Sequence, residues 1–258
     1  MKFIIWFAKN VIRVAEIITG TEITVRRKHR VKIKTHPMAV NNGDSMFLYV
    51  GLVEKFCTFK PVNIFEIGAN YAQDAEFLRK SFGLNESDVF VFEPHPQIIK
   101  SVRTLYKFNS YEMAVSNTAG RAVLNAIDID NNEYKNSGIS SLKEGLTTDK
   151  RNFVNVDVEV VRMDEFTREN QIENIDFLKL DVEGVNYEVL EGFGDKLSMV
   201  KSIQIEGEYH QYWEGQKLFW DIAELLRKNE FDLVHFILSD DGIQSDSFWI
   251  QKQYIKRI

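Results

Sequence analysis

The side chains able to move a proton gather at a few points of this sequence. Lys179, Asp181 and Glu183 sit at the end of the run Ile175-Asp176-Phe177-Leu178-Lys179-Leu180, and Glu206, Glu208 and His210 follow the apolar segment 200–205. Glu93 closes Val89-Phe90-Val91-Phe92 and precedes Pro94-His95-Pro96. Carboxylates and a histidine are the groups that orient or take protons from a reacting hydroxyl near neutrality. Lys179 and Asp181 are two apart, so they share one face of a regular strand. A lysine inside an apolar strand needs an anionic partner, because a buried unpaired charge is costly. Asp181 is the leading candidate for that partner and for contact with a reacting group; the plainer reading is a structural ion cluster.

Each of these residues ends a short apolar run, which points to strands that deliver them. Ile64, Phe65 and Ile67 form one such run, followed by Gly68-Ala69-Asn70 and then by Ala72, Ala75, Leu78 and Phe82 at helical spacing over 71–81. Strand, tight turn and helix make the front half of a Rossmann-like unit. Gly68 tolerates φ > 0 and lets a ligand approach the backbone, and the helix amides beyond it favour polar or anionic groups. A lone Gly68 is not the G-x-G-x-x-G dinucleotide fingerprint. Glu93 lies 25 positions later (93 − 68), near the spacing at which a strand-end acid takes ribose hydroxyls; otherwise it is a solvated loop acid.

The rest of the chain alternates in the same way. A helix begins at Asp44 and carries Phe47, Leu48, Val50, Leu52, Val53 and Phe56, with Cys57 near its end as a small apolar residue. Another runs from Pro96 to about Phe108 with Ile98, Ile99, Val102 and Leu105 inward. Residues 111–116 read as a third strand, 121–129 as a strand pairing back, and the polar segment 130–150 as a long loop covering a bound acceptor. Further strands are expected around Val156, Val158, Val160 and Met163 and over 175–180 and 200–205, with helices near 164–169, 187–193 and 218–228. Segments 231–237 and 247–251 form a closing antiparallel pair. This order implies an α/β fold: a mostly parallel sheet with helices on both faces, and ligands outside the carboxyl ends of its strands.

The chain has 258 residues, a net charge of −6 and a single cysteine, Cys57. The charge argues against general affinity for nucleic acid or anionic membrane. One cysteine allows no intrachain disulfide and no metal site of paired cysteines, and fits a reducing, cytoplasmic setting. Residues 1–40 read as an N-terminal helix and strand extension to a domain over 41–258. The apolar run from Phe3 to Ala8 is too short to span a bilayer, which takes ~20 residues. With Val11 and Ile18 it makes an apolar stripe, so residues 1–19 are expected to pack on the domain or a partner subunit, or to lie on a membrane surface. The basic run Arg26-Arg27-Lys28-His29-Arg30 reads as solvated surface.

The segments F-E-I-G-A-N-Y-A, V-F-V-F-E-P-H-P, M-A-V-S-N-T-A-G, S-G-I-S-S-L and F-L-K-L-D-V-E-G-V-N-Y-E-V-L-E-G come in an order that resembles the FkbM family of methyltransferases, over roughly 44–236. The resemblance implies a class I methyltransferase fold, S-adenosylmethionine as cofactor and methylation of a hydroxyl, often of a sugar or glycan. It places the cofactor at Glu66, Gly68, Ala69, Asn70 and Tyr71, with Glu93 as the ribose acid beside Pro94 and Met113-Ala114 against adenine. It puts Ser140, Ser141 and Asp181 on the acceptor side, with Glu183 and Glu206 nearby. Glu66 and Tyr71 depart from the Asp and Gly usual in the first loop. Asp181 is the expected base and His210 the second candidate. The competing expectations are a divalent-metal methyltransferase using Asp181, Glu206, Glu208 and His210, an NAD-dependent dehydrogenase, which the missing glycines weaken, and a non-catalytic binding module in a glycan-assembly complex.

Overall fold

The computed structural model describes residues 44–131, 137–146 and 152–256. The expected extension over 1–40 and its contact segment 1–19 lie outside the described residues.

The apolar runs become strands of one sheet. They are β1 (Ile64–Ile67), β2 (Val89–Phe92), β3 (Asn109–Tyr111), β7 (Ile175–Leu180), β8 (Val200–Glu208), β9 (Phe231–Leu238) and β10 (Gln244–Gln251). Their order across the sheet is β3-β2-β1-β7-β8-β10-β9. The first five run parallel, while β10 lies antiparallel to both β8 and β9. This is the class I methyltransferase arrangement, a doubly wound sheet closed by an antiparallel strand.

Alternation along the strands assigns the two faces. Ile64 and Phe177, with Phe248 and Ile250, meet Met46, Tyr49 and Val53 of α1 (Asp44–Phe56) and Leu78 and Phe82 of α2 (Gln73–Phe82). Val89 and Val91 continue that face under Ala75 and under Ile99 and Val102 of α3 (Pro96–Leu105). On the other face Phe65, Ile67, Leu178, Leu180, Ile203 and Ile205 pack on α4 (Met163–Glu169), α5 (Asn186–Gly192) and α6 (Phe219–Lys228). Each fully buried Phe, Ile or Leu contributes ~1.5–3 kcal/mol. All six side chains of β7 are buried, as a central parallel strand requires.

Several expectations change. Segment 111–116 is not one strand. It breaks after Tyr111, whose carbonyl accepts from the Glu93 amide, and resumes as β4 (Ala114–Val115), after which the Ser116 amide donates to the Val161 carbonyl. β4 belongs to a second sheet of order β4-β6-β5, with β5 (Gly120–Ile127) antiparallel to β6 (Phe153–Val161). β5 stops at Ile127 because the Asp128 carboxylate accepts the amides of Asp130 and Asn131 and turns the chain. β8 runs on to Glu208, held by its pairing with Gln244, so Glu206 and Glu208 lie within the strand. Met163 opens α4 instead of ending a strand. Leu105, read as inward, is exposed; in α1 Phe47 is exposed while Met46 and Tyr49 are buried.

Candidate active site

The turn after β1 is built tightly against the neighbouring strands. Gly68 has φ +80°, and a Cβ there would collide with the Asp181 carbonyl at the end of β7. Close approach of protein backbone therefore demands this glycine, where a ligand was the expected reason. The Gly68 and Ala69 amides donate to the Phe92 carbonyl at 3.0 and 3.1 Å. Asn70 and Ala72 both adopt positive φ, which is why α2 starts at Gln73 and not at Tyr71. Glu93 fastens the turn to the end of β2. Its Oε2 accepts from the Asn70 amide and its Oε1 from the His95 amide, both at 2.8 Å. Burial pushes the Glu93 carboxyl up to about 7, although both amides favour its ionised form. A carboxylate has about four acceptor sites, so capacity remains for a ligand hydroxyl.

A cleft opens beside this turn. Its walls include Gly68, Asn70, Glu93 and Pro94, the Met113-Ala114 step between the two sheets, Ser140 and Ser141, and Asp181 and Glu183. The segment around 137–142 lies over it. Ser137 Oγ donates to Asn70 Oδ1 at 2.9 Å, Ser140 Oγ accepts from the Ile127 amide at 3.1 Å, and Ser141 Oγ donates to the Glu183 carbonyl at 2.7 Å. The cleft measures about 50 Å³, against ~300–1,000 Å³ for pockets that enclose drug-sized ligands.

Behind the turn lies a buried ion cluster. Glu66 and Lys179 face each other across β1 and β7. Lys179 Nζ is 3.2 Å from Glu66, 3.3 Å from Asp74 and 2.9 Å from Asp181. The second Glu66 oxygen accepts from the Ala75 amide at 3.1 Å, in the first turn of α2. Burial opposes the lysine charge, but Asp181, Glu66 and Asp74 together hold its pKa well above the ordinary value. Burial pushes Glu66 up to about 7 in spite of Lys179. One strand further on, Glu206 faces Asp246 across β8 and β10. Burial, then the nearby Asp181 and Asp246, push the Glu206 carboxyl up to about 9.

A second cavity of about 370 Å³ is walled by Asn125, Ile139, Glu144, Gly145, Phe153, Glu183, Glu208, Tyr212, Trp213 and Gln244. Glu183 lines both this cavity and the cleft. Trp213 packs on Gly184, where a Cβ would come within 2.6 Å of the indole, and its Nε1 donates to Glu183 Oε2 at 3.2 Å. The chains around 145 and 213 are zipped by the Leu146 amide donating to the Tyr212 carbonyl and the Glu214 amide to the Glu144 carbonyl, both at 2.8 Å.

Of the residues singled out in the sequence, Gly68, Asn70, Glu93, Pro94, Met113, Ala114, Ser140, Ser141, Asp181 and Glu183 share the cleft. Glu66, Ala69, Tyr71 and Glu206 are not among its walls: Ala69 is core, and Glu66 and Glu206 belong to the buried carboxyl network. His210 is exposed and lines neither cavity. Among the described residues no group of three or more His, Cys, Asp or Glu could hold a metal ion. Sequence reasoning missed Ser137, whose signal was its place in S-G-I-S-S-L. It also missed Asn125, Glu144, Phe153 and Gln244, which carry no motif and meet only through the fold.

A family model described as the methyltransferase FkbM domain matches residues 66–233. The chain belongs to the FkbM methyltransferase family. It is an S-adenosylmethionine-dependent methyltransferase, and the FkbM motifs are the segments that build the turn, the cleft and the end of β7. A relative, the 2-O-methyltransferase NoeI of Sinorhizobium fredii, is 30% identical over 183 residues, covering 66% of this chain and 72% of that protein. Among solved structures, an FkbM methyltransferase from Methylobacillus flagellatus aligns with TM-score 0.49 and 12% identity over 74% of this chain. The chain spans 44% of the length of that protein. The magnesium protoporphyrin IX methyltransferase ChlM of Synechocystis, solved with bound cofactor, aligns with TM-score 0.45 and 9% identity, over 81% of this chain and 77% of that one.

The cleft suits the cofactor. A buried carboxylate with spare acceptor sites faces it from Glu93, Met113 and Ala114 offer an apolar wall, and Ser140 adds a hydroxyl. Across the described residues no helix is long and apolar enough to cross a membrane.

Proposed function

We propose that this FkbM methyltransferase is an O-methyltransferase whose acceptor is a hydroxyl of a sugar or glycan. The observation that carries this reading is the junction at the end of β7. Asp181 and Glu183 line the cofactor cleft, and Glu183 also lines the aromatic and carboxylate-walled cavity next to it. An acceptor in that cavity presents its hydroxyl at the mouth of the cleft. The similarity to a 2-O-methyltransferase supports oxygen as the methylated atom.

Bound in the cleft, S-adenosylmethionine supplies an electrophilic methyl group on a sulfonium. The residues of this chain supply position and a proton acceptor. Glu93 holds the ribose hydroxyls, and Met113 and Ala114 flank the adenine. Lys179 anchors Asp181 on one side, which leaves the other carboxylate oxygen to orient the acceptor hydroxyl and take its proton. Positioning does much of the work, because an in-line approach replaces a bimolecular encounter. Ser141 fixes the Glu183 backbone, and Trp213 fixes its carboxylate.

The test is transfer of labelled methyl to a panel of p-nitrophenyl glycosides. Asp181→Asn should lower turnover by ~10²–10⁴ for a lost acid–base role, with S-adenosylhomocysteine affinity little changed. Turnover near normal in the folded variant would remove Asp181 as base.

A further inference from the structure

Asp181, Glu206 and Asp246 stand side by side across the ends of three strands. Leu180 pairs with Ile205 in the parallel ladder of β7 and β8, so Asp181, one residue on, lies beside Glu206. Glu206 in turn pairs with Asp246 across β8 and β10. Lys179 pairs with Gln204, which puts Lys179, Asp181, Gln204 and Glu206 on one face of the sheet. The buried Asn186 of α5 fixes the spacing where β7 ends. Its Oδ1 accepts from the Val182 amide at 3.2 Å, and its Nδ2 donates to the Glu206 carbonyl at 3.1 Å. Neighbouring strands lie ~4.8 Å apart, and like charges directly opposite one another are destabilising. Two carboxyl groups so placed resist ionising together, and a proton is shared between them.

The donors on either side decide where that proton sits. Lys179 Nζ donates to Asp181 at 2.9 Å, and Gln204 Nε2 donates to Asp246 Oδ1 at 3.0 Å. Both bonds favour the ionised form of the outer two groups. Glu206 stands between them, with Glu208 on its own strand, Glu183 in the loop after β7 and Tyr49 of α1 also near it. Lys179 links Asp181 onward to Glu66 and Asp74. Burial and the surrounding carboxylates favour the neutral acid at Glu206. Asp181 is the member that reaches the cleft, and its side chain is half exposed, so one tether to Lys179 does not by itself fix its direction. Resting on the reading of Asp181 as the base, we propose that Glu206 is a positioning residue of the transfer: as the neutral acid it donates a hydrogen bond to Asp181 and holds the ionised carboxylate toward the acceptor hydroxyl. A carboxylate has about four acceptor sites, so Asp181 can accept from Lys179, Glu206 and the acceptor together. The acceptor oxygen takes the methyl group as its proton passes to Asp181, and the electrons of the broken carbon–sulfur bond stay on sulfur. The carboxyl pair, singly charged before the step, is neutral after it, and Asp181 returns the proton to water through its exposed side.

Two measurements on the full chain test the pair. Carboxyl-carbon NMR of isotope-labelled protein follows the proton with no acceptor present. Glu206 should stay neutral until about pH 9, and in Asp181→Asn it should titrate lower by ~1 pH unit or more, because the neighbouring like charge is gone. An unmoved titration overturns the shared proton, whichever sugar is methylated and even where none is. Turnover on a methylated glycoside then reads the positioning. Glu206→Met lacks the donor and should lower kcat by ~10²-fold, the cost of a misplacement of about 1 Å, with S-adenosylhomocysteine affinity kept. Glu206→Gln keeps an amide donor and should recover ~10-fold of that loss. It should also lack the fall in kcat that the wild type shows as Glu206 ionises through about pH 9. Near-normal kcat in Glu206→Met, with Asp181→Asn inactive, overturns the positioning role and leaves Asp181 as base. A glutamine variant no better than the methionine one overturns it as well, since the donor is then not what matters. Near-normal kcat in Asp181→Asn removes the base and the role of Glu206 together.

Discussion

Glu93 has two tasks that pull its protonation in opposite directions. It is buried, which favours the neutral acid, yet it accepts two backbone amides and, on the proposed reading, two ribose hydroxyls, which favour the carboxylate. With its carboxyl pushed up to about 7, the free protein carries a proton there below neutrality. Cofactor binding must then release that proton. S-adenosylhomocysteine affinity should rise with pH up to about 7 and level off above it, with a slope approaching tenfold per unit on the acid side. Glu93→Gln should weaken binding by ~1.5–3 kcal/mol, the worth of a charge-assisted hydrogen bond, and should flatten the profile. Calorimetry at pH 6 and 8 decides the matter: a profile that keeps its slope in the variant would place the titration on another group.

Between elements, a buried salt bridge joins β1 to β7. Lys179 is buried and reaches Glu66, Asp74 and Asp181 at once. Asp74 and Asp181 keep access to water, with side chains 36% and 47% exposed, whereas Glu66 is enclosed at 2%. Loss of the lysine therefore falls chiefly on Glu66. Lys179→Met should destabilise the protein by ~3–5 kcal/mol, the cost of removing one partner of a buried pair. The double variant Lys179→Met with Glu66→Gln should recover much of that, read from urea midpoints; equal losses in the two would show the pair is uncoupled. This bridge was half legible in the sequence: a lysine in an apolar strand announces a carboxylate, but spacing pointed to Asp181 and could not show Glu66, which arrives through strand register. The same limit governs the site. Gly68, Glu93 and Asp181 follow short, largely apolar runs, so their positions on a parallel sheet could be read. The second cavity could not, because Asn125, Glu144, Phe153, Trp213 and Gln244 meet only after the second sheet and the 145–213 pairing form. Nor could the break after Tyr111, since hydrogen-bond partners, and not side-chain pattern, end that strand.

Across the whole molecule, the carboxyl ends of the strands hold more buried acid than the fold alone would favour. Burial raises Glu66 and Glu93 to about 7 and Glu206 to about 9, and Glu208 and Asp246 are raised as well. Each of these groups has a higher pKa folded than unfolded, so the native state binds more protons than the unfolded chain over that interval. Their contribution to stability is full below the unfolded carboxylate range, ~4.3 for Glu, and is lost as pH rises through about 7 and then about 9. Glu76 and Asp164 act in the opposite sense, since their cationic partners outweigh burial and lower them; their contribution is lost as pH falls through the acid range. The two trends leave a maximum in mildly acidic solution, which is set by the site and not by the net charge of −6. A tenfold difference in proton affinity between the folded and unfolded chain corresponds to about 1.4 kcal/mol, and 1 kcal/mol moves Tm by ~2–4 °C in a chain of this size. The thermal midpoint should therefore be several degrees higher at pH 5.5 than at pH 9 at constant ionic strength. Glu206→Gln removes the group with the highest raised value, so it should shrink the decline between pH 7 and 9 while leaving most of that between pH 5.5 and 7. A wild-type midpoint that is level or rising from pH 5.5 to 9 would show that these acids stay ionised in the folded protein, and that the carboxyl network is solvated more fully than its burial implies.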